Sequence, residues 1–415
     1  MREMKDSGIE WIGDIPVSWK VMPNKYLMRK KKKICPVYHG EDILSLTMKG
    51  VIVRDLDAGG KMPTSFDGYQ RLEAGNLLMC LFDIDVTPRC VGLIKQAGVS
   101  SPAYSQFVLR KGADAAYYCY YYTVLDNDKT LLHLAKNLRH SLTEDQLGAI
   151  PVIVPPVDEQ QRIANFLDAK CAEIDALTAD IQTQIDTLEQ YKRSVITETV
   201  TKGLNLNAEM KDSGIEWVGQ MPSSWSIVPN KYLMYKIKSV CPVYNGENIL
   251  SLTTNGVIIR DLNGGGKMPT SFDGYQKVVP GNLLMCLFDI DVTPRCIGLI
   301  KNFGLTSPAY SQFVMKDGAY APYYYYYYLM VDYTKELLHM AKNLRHSLTE
   351  DQLGAIKAPK PPYDEQIQIA EYLDNKCSKI GRTIADKNNQ LAILEEYKKS
   401  LIFEYVTGKK EVPTS

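Results

Sequence analysis

Apolar residues recur every seventh position along one long stretch of the chain. From Asp158 to Val200 there are 43 residues without Gly or Pro. The repeating positions are Leu167, Ile174, Ile181, Leu188 and Val195, with Cys171, Leu177, Ile185 and Tyr191 between them. This spacing is typical of a coiled-coil seam and predicts one helix about 60 Å long. A helix of that length needs a partner helix to bury its apolar face.

The chain contains a second copy of this stretch. Asp364 to Val406 repeats it at an offset of 206 residues, although Lys387 stands where the first copy has Ile181. The seven-residue spacing is kept by Leu373, Ile380, Leu394 and Leu401. About two thirds of all positions match at this offset, without insertion or deletion. We therefore expect two copies of one unit, related by a pseudo-twofold axis, whose long helices pack on each other.

Each copy begins with a globular segment that has a different pattern. The runs ILSLT, GVIVRDL, GNLLMCLFDI and VGLI are β-prone, are separated by turn residues, and predict a curved mixed sheet. Trp11 and Trp19 bracket an irregular opening in which they serve as packing anchors. The tyrosine run from Tyr117 to Tyr122 opens a helix, and a buried aromatic flank is favoured over base stacking.

These patterns predict an α+β chain with four parts. Residues 1–157 and 207–363 form globular α/β domains with mixed sheets. Residues 158–206 form the first long helix and a joint, and residues 364–415 form the second helix and a tail. The two helices are expected to form an antiparallel coiled coil.

Composition places the chain among globular proteins without a membrane span. Its 415 residues carry 48 basic and 48 acidic side chains, but the first helix has 4 basic against 9 acidic residues, and residues 1–157 have 20 against 17. The globular parts are thus mildly basic, which is compatible with nucleic acid without establishing it. No signal peptide or long apolar stretch occurs, so we expect a cytoplasmic protein. Nine cysteines without a CxxC pair indicate reduced, buried thiols.

Three motifs that could carry catalysis are better explained by structure. Lys360 to Tyr363 reads KPPY, like an adenine methyltransferase motif, but a lysine cannot accept the hydrogen bond that this motif requires. Glu396 and Lys398 have a nuclease-like spacing but lie in the predicted coiled coil. His133 and His140 are seven residues apart on a helical pattern, with no further metal ligand nearby. No catalytic residue, cofactor or metal site is predicted.

Polar residues concentrate in two loops that both copies retain, Gly59 to Gln70 and Asp83 to Arg89, and in the SPAYSQF segment that follows. Loops on a rigid scaffold often carry binding residues. The candidate residues are Lys49, Arg54, Lys61, Thr64, Ser65, Tyr69, Arg89 and Gln106, with the copies Arg260, Lys267, Thr270, Ser271, Tyr275, Arg295 and Gln312.

Among these candidates, Arg89 and Arg295 are the strongest for reading bases. The structural alternative is that Arg89 pairs with Asp83 or Asp85 and only shapes its loop. The basic run from Arg29 to Lys33 is either a solvated face or a phosphate contact in the first copy alone.

Several strings resemble the DNA specificity subunits of type I restriction-modification systems. They are EWIGDIPVSW, the VG…SPAY pattern, and above all RHSLTEDQLGAIPVIVPPVDEQQRIANFLD, and the resemblance covers nearly the whole chain twice. It implies two target-recognition domains that each read half of a bipartite DNA site. It also implies two methyltransferase subunits that methylate adenine N6 and motor-nuclease subunits that cleave, with this chain as the non-catalytic reader. Ile356 to Lys360 departs from the pattern.

The likeness between the two copies adds an expectation of its own. Nearly identical loops should read similar half-sites, so the site should be an interrupted palindrome. The differences that could break this symmetry are His39/Asn245, Met48/Thr254, Lys49/Asn255 and Asp57/Asn263, together with the divergent stretch near residues 110–130. A coiled-coil scaffold without DNA remains the competing interpretation, although its loops would be free to vary.

Overall fold

The computed structural model describes residues 2–57, 63–135, 140–264, 269–341 and 346–413. The chain forms two compact units. The first comprises Met1–Ile181 with Asn389–Ser415, and the second comprises Gln182–Asn388. Each long helix therefore contributes residues to both units.

The first repeat contains twelve short strands and four α-helices in its described residues. They are β1 (Met4–Asp6), β2 (Asp14–Pro16), β3 (Lys20–Pro23), β4 (Met28–Lys31), β5 (Leu44–Thr47), β6 (Gly50–Val53), β7 (Gln70–Leu72), β8 (Leu77–Met79), β9 (Val91–Leu93), β10 (Gly98–Ser100), β11 (Ser105–Leu109), α1 (Ala115–Asn127), α2 (Thr130–Leu134), α3 (Glu144–Ala149), β12 (Pro151–Val154) and α4 (Val157–Lys202).

The second repeat has the same order of elements. They are β13 (Met210–Asp212), β14 (Gln220–Pro222), β15 (Ser226–Pro229), β16 (Met234–Ile237), β17 (Ile249–Thr253), β18 (Gly256–Ile259), β19 (Gln276–Val278), β20 (Leu283–Met285), β21 (Ile297–Leu299), β22 (Gly304–Thr306), β23 (Ser311–Met315), α5 (Ala321–Tyr333), α6 (Glu336–Met340), α7 (Glu350–Ala355), β24 (Lys357–Lys360) and α8 (Tyr363–Val406).

The predicted β-runs are strands, but they do not form one sheet. In the first unit β4, β11, β8 and β9 form an antiparallel sheet in that order, while β5–β6, β7–β10, β1–β2 and β3–β12 pair separately. In the second unit β17 and β22 are parallel within a second four-stranded sheet. The irregular tryptophan-flanked opening was therefore an incomplete expectation, since it contains strand β2, which pairs with β1 just before it.

A dense aromatic core joins α1 to the sheet, as predicted. Tyr117, Tyr118, Tyr121 and Tyr122 are all buried, and consecutive rings meet edge to face. The Tyr118 hydroxyl donates to the Ile153 carbonyl at 3.1 Å. Because each phenol has a carbonyl or amide partner, this polar run can lie in the core without an unsatisfied hydroxyl. These tyrosines are not available to stack on bases.

The long helices follow the predicted seam only in part. Leu167, Ile174 and Ile181 are buried, as expected, whereas Leu177 and Tyr191 are each 47% exposed. Leu177 is therefore not part of the buried seam, and Tyr191 lies at its margin, where its ring contacts Lys376 of α8.

Contacts between α4 and α8 occur inside each unit. In the first unit the rings of Phe166 and Tyr405 have centroids 4.5 Å apart, and Lys398 Nζ lies 2.6 Å from Asp175 Oδ1. In the second unit Lys376 Nζ lies 5.4 Å from the centre of the Tyr191 ring. Lys387, which interrupts the apolar pattern, donates a hydrogen bond to Gln184.

The start of α4 is held to the first globular segment by two side chains of its first turn. The buried Gln160 accepts from the Asp114 N–H at 2.8 Å and donates to the carbonyls of Gly112 and Pro155. Glu159 accepts from the Trp19 indole at 2.8 Å. The second repeat has the same contacts through Gln366 and Glu365. The sequence string DEQ is therefore a structural clamp in both copies.

Candidate nucleic-acid interface

Five of the seven first-unit candidates that the structure describes belong to the β5–β6 hairpin and the loops after it, which we term the hairpin–loop surface. It consists of the β5–β6 hairpin and the loop residues 54–57 and 63–69. Thr47 Oγ1 accepts from the Lys49 N–H at 3.1 Å and donates to the Gly50 carbonyl at 3.0 Å. The turn is thereby fixed, and the Lys49 side chain is exposed at its tip.

The loop that follows is held by hydrogen bonds to its own backbone. Ser65 Oγ accepts from the Asp67 N–H at 3.0 Å, and Asp67 accepts from the Tyr38 N–H at 2.7 Å. The Tyr38 bond, followed by that of Ser65, holds the pKa of Asp67 below its usual range. Thr64 and Ser65 are exposed on the outside of this loop. They can therefore reach a ligand without disturbing the turn.

Aromatic packing brings Tyr69 and Arg54 to the same region. The Tyr69 ring meets Phe66 edge to face at 5.3 Å and remains half-buried. Burial raises the pKa of Tyr104, and the nearby charge of Arg54 counteracts this. Tyr104 is also within electrostatic reach of Tyr69, and it packs around the same hydrophobic cluster as Leu46 and Val51 of the hairpin. The body of the hairpin and the loop therefore adjoin at residue 104. The second unit repeats the stacking through Phe272 and Tyr275 at 5.3 Å.

Two further candidates, Lys61 and Lys267, lie outside the residues that the structure describes. The remaining second-unit candidates, Arg260, Thr270, Ser271 and Tyr275, occupy the positions of their first-unit counterparts, and Thr270 and Ser271 are exposed. Asn255 stands at the hairpin tip in place of Lys49 and is likewise exposed.

Arg89, the strongest candidate from sequence, is bound to the protein itself. Its Nη1 lies 3.3 Å from Asp126 Oδ2 and 3.0 Å from Asn127 Oδ1. Asp126 is only 3% exposed and also accepts from the Cys90 N–H. The alternative that Arg89 pairs with an acidic residue of the protein is therefore correct, but the partner is Asp126 and not Asp83 or Asp85. In the second unit Arg295 lies 3.7 Å from Asp332 and packs over the Tyr333 ring.

Asp85 has a different partner, and the arrangement constrains the 83–89 loop. His140 Nδ1 lies 3.0 Å from Asp85 Oδ2, and this hydrogen bond lowers the pKa of Asp85. Asp83 and His140 both have a left-handed backbone, with φ of 47° and 43°. His140 therefore does not share a helix face with His133, contrary to the sequence expectation. Strained residues of this kind are held in place only where surrounding contacts over-determine them.

The same loop presents one residue that sequence reasoning missed. Val86 is 73% exposed, and Val292 has the same exposure in the second unit. The sequence did contain a signal for this residue, because both copies keep a valine within an otherwise polar loop. Such a side chain can contact a thymine methyl group.

Gln106 and Gln312 do not lie on an exposed surface, so that expectation was wrong. Gln106 is fully buried, accepts from the Glu73 N–H and from the Asn76 amide, and donates to the Arg71 carbonyl. Gln312 makes the equivalent bonds. The reason is the position of β11 in the middle of its sheet, where side chains on both faces are covered.

The described residues show no arrangement with catalytic geometry around these loops. Among them, no cluster of three or more His, Cys, Asp or Glu side chains could hold a metal ion. All nine cysteines are free, and burial raises the pKa of Cys119 to about 11 and that of Cys296 to about 12. Such thiols are protonated at neutral pH and are poor nucleophiles.

One cavity of about 440 Å³ lies elsewhere in the second unit. Lys231, Lys236 and Lys316 line it together with Glu350 and Asp351, and none of the candidate residues does. Its mixed charge does not match a phosphate group. In the described part of the chain, no helix combines the length and apolar character needed to cross a membrane.

Comparison with known proteins agrees with the resemblance in the sequence. No family model matches the chain. The specificity subunit of the type I restriction enzyme MjaVIII from Methanocaldococcus jannaschii is 25% identical over 284 residues, which are 63% of this chain and 63% of that protein. The putative type I restriction enzyme MjaX specificity subunit of the same organism is 25% identical over 66% of this chain and 62% of its own length. The matched region thus spans less than two thirds of these relatives.

A solved structure reported for complex assembly and conformational transition of the type I R-M system has the same fold. It aligns with a TM-score of 0.70 at 13% identity, and the alignment covers 95% of this chain and 99% of that one. The fold and the sequence similarity therefore point to one class of protein, the specificity subunits of type I restriction enzymes. This chain is similar to them over most of its length.

Proposed function

We propose that this chain is the DNA-specificity subunit of a type I restriction-modification enzyme. The observation that carries the proposal is the duplication of one polar surface in a chain similar to such subunits. Arg54 and Tyr69 are both near Tyr104 in the first unit, Lys49, Thr64 and Ser65 are exposed on the adjoining hairpin and loop, and the turns that hold these segments recur in the second unit. Short polar and basic side chains on an ordered surface are suited to contact base edges and phosphates.

Each surface reads one half of a bipartite site in this proposal. The recognition domains are residues 1–157 and 207–363, and the helices with their joint and tail are residues 158–206 and 364–415. Val86 and Val292 supply apolar contacts, and Lys61 and Lys267 are further candidates. Arg89 and Arg295 act on DNA through the loop that they hold. Gln106 and Gln312 are left out because they are buried.

The two long helices form an antiparallel coiled coil that sets the distance between the half-sites. Two pairs of contacts support this arrangement. In the first unit, position 166 of α4 meets position 405 of α8, and position 175 meets 398. Residue numbers thus rise on one helix as they fall on the other. The internal repeat supports a pseudo-twofold axis between the domains.

The chain itself is non-catalytic in this proposal. Two methyltransferase subunits add the N6-methyl group to adenine, and motor-nuclease subunits cleave unmodified DNA. The support is the similarity to subunits named for specificity. The complex would act in the cytoplasm, where chromosomal DNA is available to it.

Mapping N6-methyladenine in a host that carries this chain with its methyltransferase tests the proposal. We expect a methylated interrupted palindrome, since the two surfaces are nearly the same. The substitution Lys49→Asn makes the hairpin tips alike at this position, so an asymmetric base should become symmetric. The matched control Lys20→Asn changes an exposed lysine outside the surface and outside the divergent stretch, and it should leave the motif unchanged. Two unrelated half-sites would refute the palindrome, and no methylation dependent on this chain would refute the function.

A further inference from the structure

The two units differ most in charge along one sheet edge. In the first unit β4 is the outer strand of its four-stranded sheet and continues into Lys32 and Lys33. Residues 29–33 read RKKKK, whereas residues 235–239 of the second unit read YKIKS. We term residues 29–33 the basic edge. The strand has the same position in both units, but its positive charge is higher in the first.

Most of the cations on the basic edge are uncommitted to the protein. Lys31 lies 2.5 Å from Glu73, and Lys30 is 3.9 Å from Glu144. Within the described residues, the side chains of Arg29, Lys32 and Lys33 form no hydrogen bond or ion pair. All three are exposed. Lys33 is nonetheless close enough to Glu73 for its charge to help lower the pKa of that carboxyl, after the hydrogen bond from Lys31. One carboxylate shared by two lysines still leaves an excess of positive charge on the edge for an external anion.

The second unit has replaced the paired charges together. Ile237 stands in place of Lys31, and Val279 stands in place of its partner Glu73. A paired lysine and glutamate have thus become two apolar residues, which changes no net charge. Tyr235 and Ser239 replace Arg29 and Lys33, and the loss of Glu73 is already balanced by the loss of Lys31, so these two replacements lower the net charge of the second unit by two. The excess charge of the first unit comes from Arg29 and Lys33.

The basic edge leads directly to the hairpin–loop surface. The Arg71 N–H donates to the Lys33 carbonyl at 2.7 Å, and the Cys35 N–H donates to the Tyr69 carbonyl at 2.6 Å. Ile34 forms a bridge with Gln70. The run of cations therefore ends beside Tyr69, on the surface assigned to DNA. A duplex that contacts Tyr69 would extend its phosphates along this edge.

We infer that Arg29 and Lys33 bind phosphates of the DNA backbone next to the half-site of the first unit, and that the second unit lacks this contact. The inference rests on the proposed function. It means that the two half-sites are held unequally even if their base contacts are alike. The first unit contributes more sequence-independent affinity, and its half-site tolerates mismatches better. Each phosphate contact steepens the salt dependence of binding by about 0.9 in the log–log slope.

The test is the salt dependence of DNA binding by the full chain. Fluorescence anisotropy on a random-sequence duplex is measured between roughly 50 and 200 mM salt, with and without the methyltransferase subunits. The variant Arg29→Tyr/Lys33→Ser takes residues that the second repeat already accommodates. We expect its slope to fall by about 1 to 2 and its affinity to fall about tenfold at the lower salt concentration. The reciprocal Tyr235→Arg/Ser239→Lys should steepen the slope.

The matched control is Lys20→Ser/Lys111→Ser, which removes two exposed cations elsewhere in the first unit. It should leave the slope unchanged. An equal effect of both double variants overturns the inference, because net charge alone would then explain the loss. An unchanged slope for the edge variant overturns it while the proposed function stands.

Two further outcomes also decide the question. A full chain that binds no duplex under either condition overturns both the inference and the proposed function. If the edge variant binds DNA normally but no longer co-elutes with the methyltransferase subunits, the edge is a protein interface and the DNA inference fails. Thermal unfolding of all variants should match the parent chain, since every substituted residue is exposed.

Discussion

At the scale of single residues, polar side chains that look like binding groups divide into two kinds. Lys49, Thr64 and Ser65 are exposed, although the Ser65 hydroxyl also accepts a hydrogen bond from the Asp67 N–H. Arg89 and Gln106 are committed to the fold, the first to a buried carboxylate and the second to backbone groups. Residue type alone does not separate these two kinds. Whether a polar side chain is free to bind a ligand depends on whether the fold brings a buried partner within hydrogen-bonding distance.

Arg89→Ala should therefore destabilise the first unit. Asp126 would remain buried with the Cys90 N–H and with Lys129 Nζ at 3.9 Å, and leaving a buried charge without its closest cation costs about 3 kcal/mol. Denaturant unfolding measures this. The double variant Arg89→Ala/Asp126→Asn should recover part of the loss, because the buried charge is gone. If Arg89→Ala instead keeps full stability and loses discrimination at one base pair, Arg89 reads DNA directly.

At the scale of secondary-structure elements, the described helices depend on where they are clamped. The N-terminal turn of α4 is held by Gln160, whose amide satisfies three backbone groups of the preceding segment. The helix α1 is held by phenol hydroxyls that reach carbonyls of other elements. In both cases directional hydrogen bonds fix the helix at one position along its neighbours, which non-directional apolar contacts alone would not do.

Gln160→Leu should unfold the first unit at a markedly lower denaturant concentration. The Asp114 N–H and the carbonyls of Gly112 and Pro155 would lose their partner, at a total cost of about 3 kcal/mol. Gln161→Leu is the matched control, because this neighbour is exposed on the same turn. It should change stability by less than about 0.5 kcal/mol. Equal effects of both substitutions would show that the clamp contributes nothing.

The buried tyrosines predict alkaline unfolding. Burial raises the pKa of Tyr117 and of Tyr122 well above the usual value. Because the folded pKa lies above the unfolded value of about 10, the stability they contribute is complete below that pH and falls as pH rises above it. We expect the last fraction of tyrosinate absorbance to appear together with loss of the helical circular dichroism signal. Complete tyrosine ionisation in a chain that keeps its helical signal would contradict this.

At the scale of the whole molecule, the cores are completed by segments distant in sequence. In the first unit Ile402 and Val406 at the end of α8 pack into the core, and the Tyr117 hydroxyl donates to the Val406 carbonyl. In the second unit Ile196 and Val200 have the same place, and Tyr323 donates to the Val200 carbonyl. Gly408 is close to Pro16 and Trp19, where a Cβ atom would lie within 3 Å of either side chain.

A fragment of residues 1–206 should therefore form a homodimer. Each copy would supply Ile196 and Val200 to the core of the other, in the place that Ile402 and Val406 have in the full chain. Sedimentation at micromolar concentrations measures the mass. Ile196→Asp should abolish association, since a charge cannot enter the core, whereas Thr197→Asp on the exposed side should not. A folded, monomeric fragment would contradict the exchange.

The sequence by itself determined the repeat, the long helices, most strands, the buried tyrosines and the class of protein. Periodicity, turn residues and a fixed offset are local or linear signals, so they can be read without a fold. It did not determine that the strands divide into several small sheets, that Leu177 and Tyr191 stay half-exposed, or that Arg89 pairs with Asp126. Tertiary structure decided these points, because they depend on which distant groups come within a few ångströms and on which faces become covered. The same physical reason explains why Gln106 belongs to the core and Val86 to the surface.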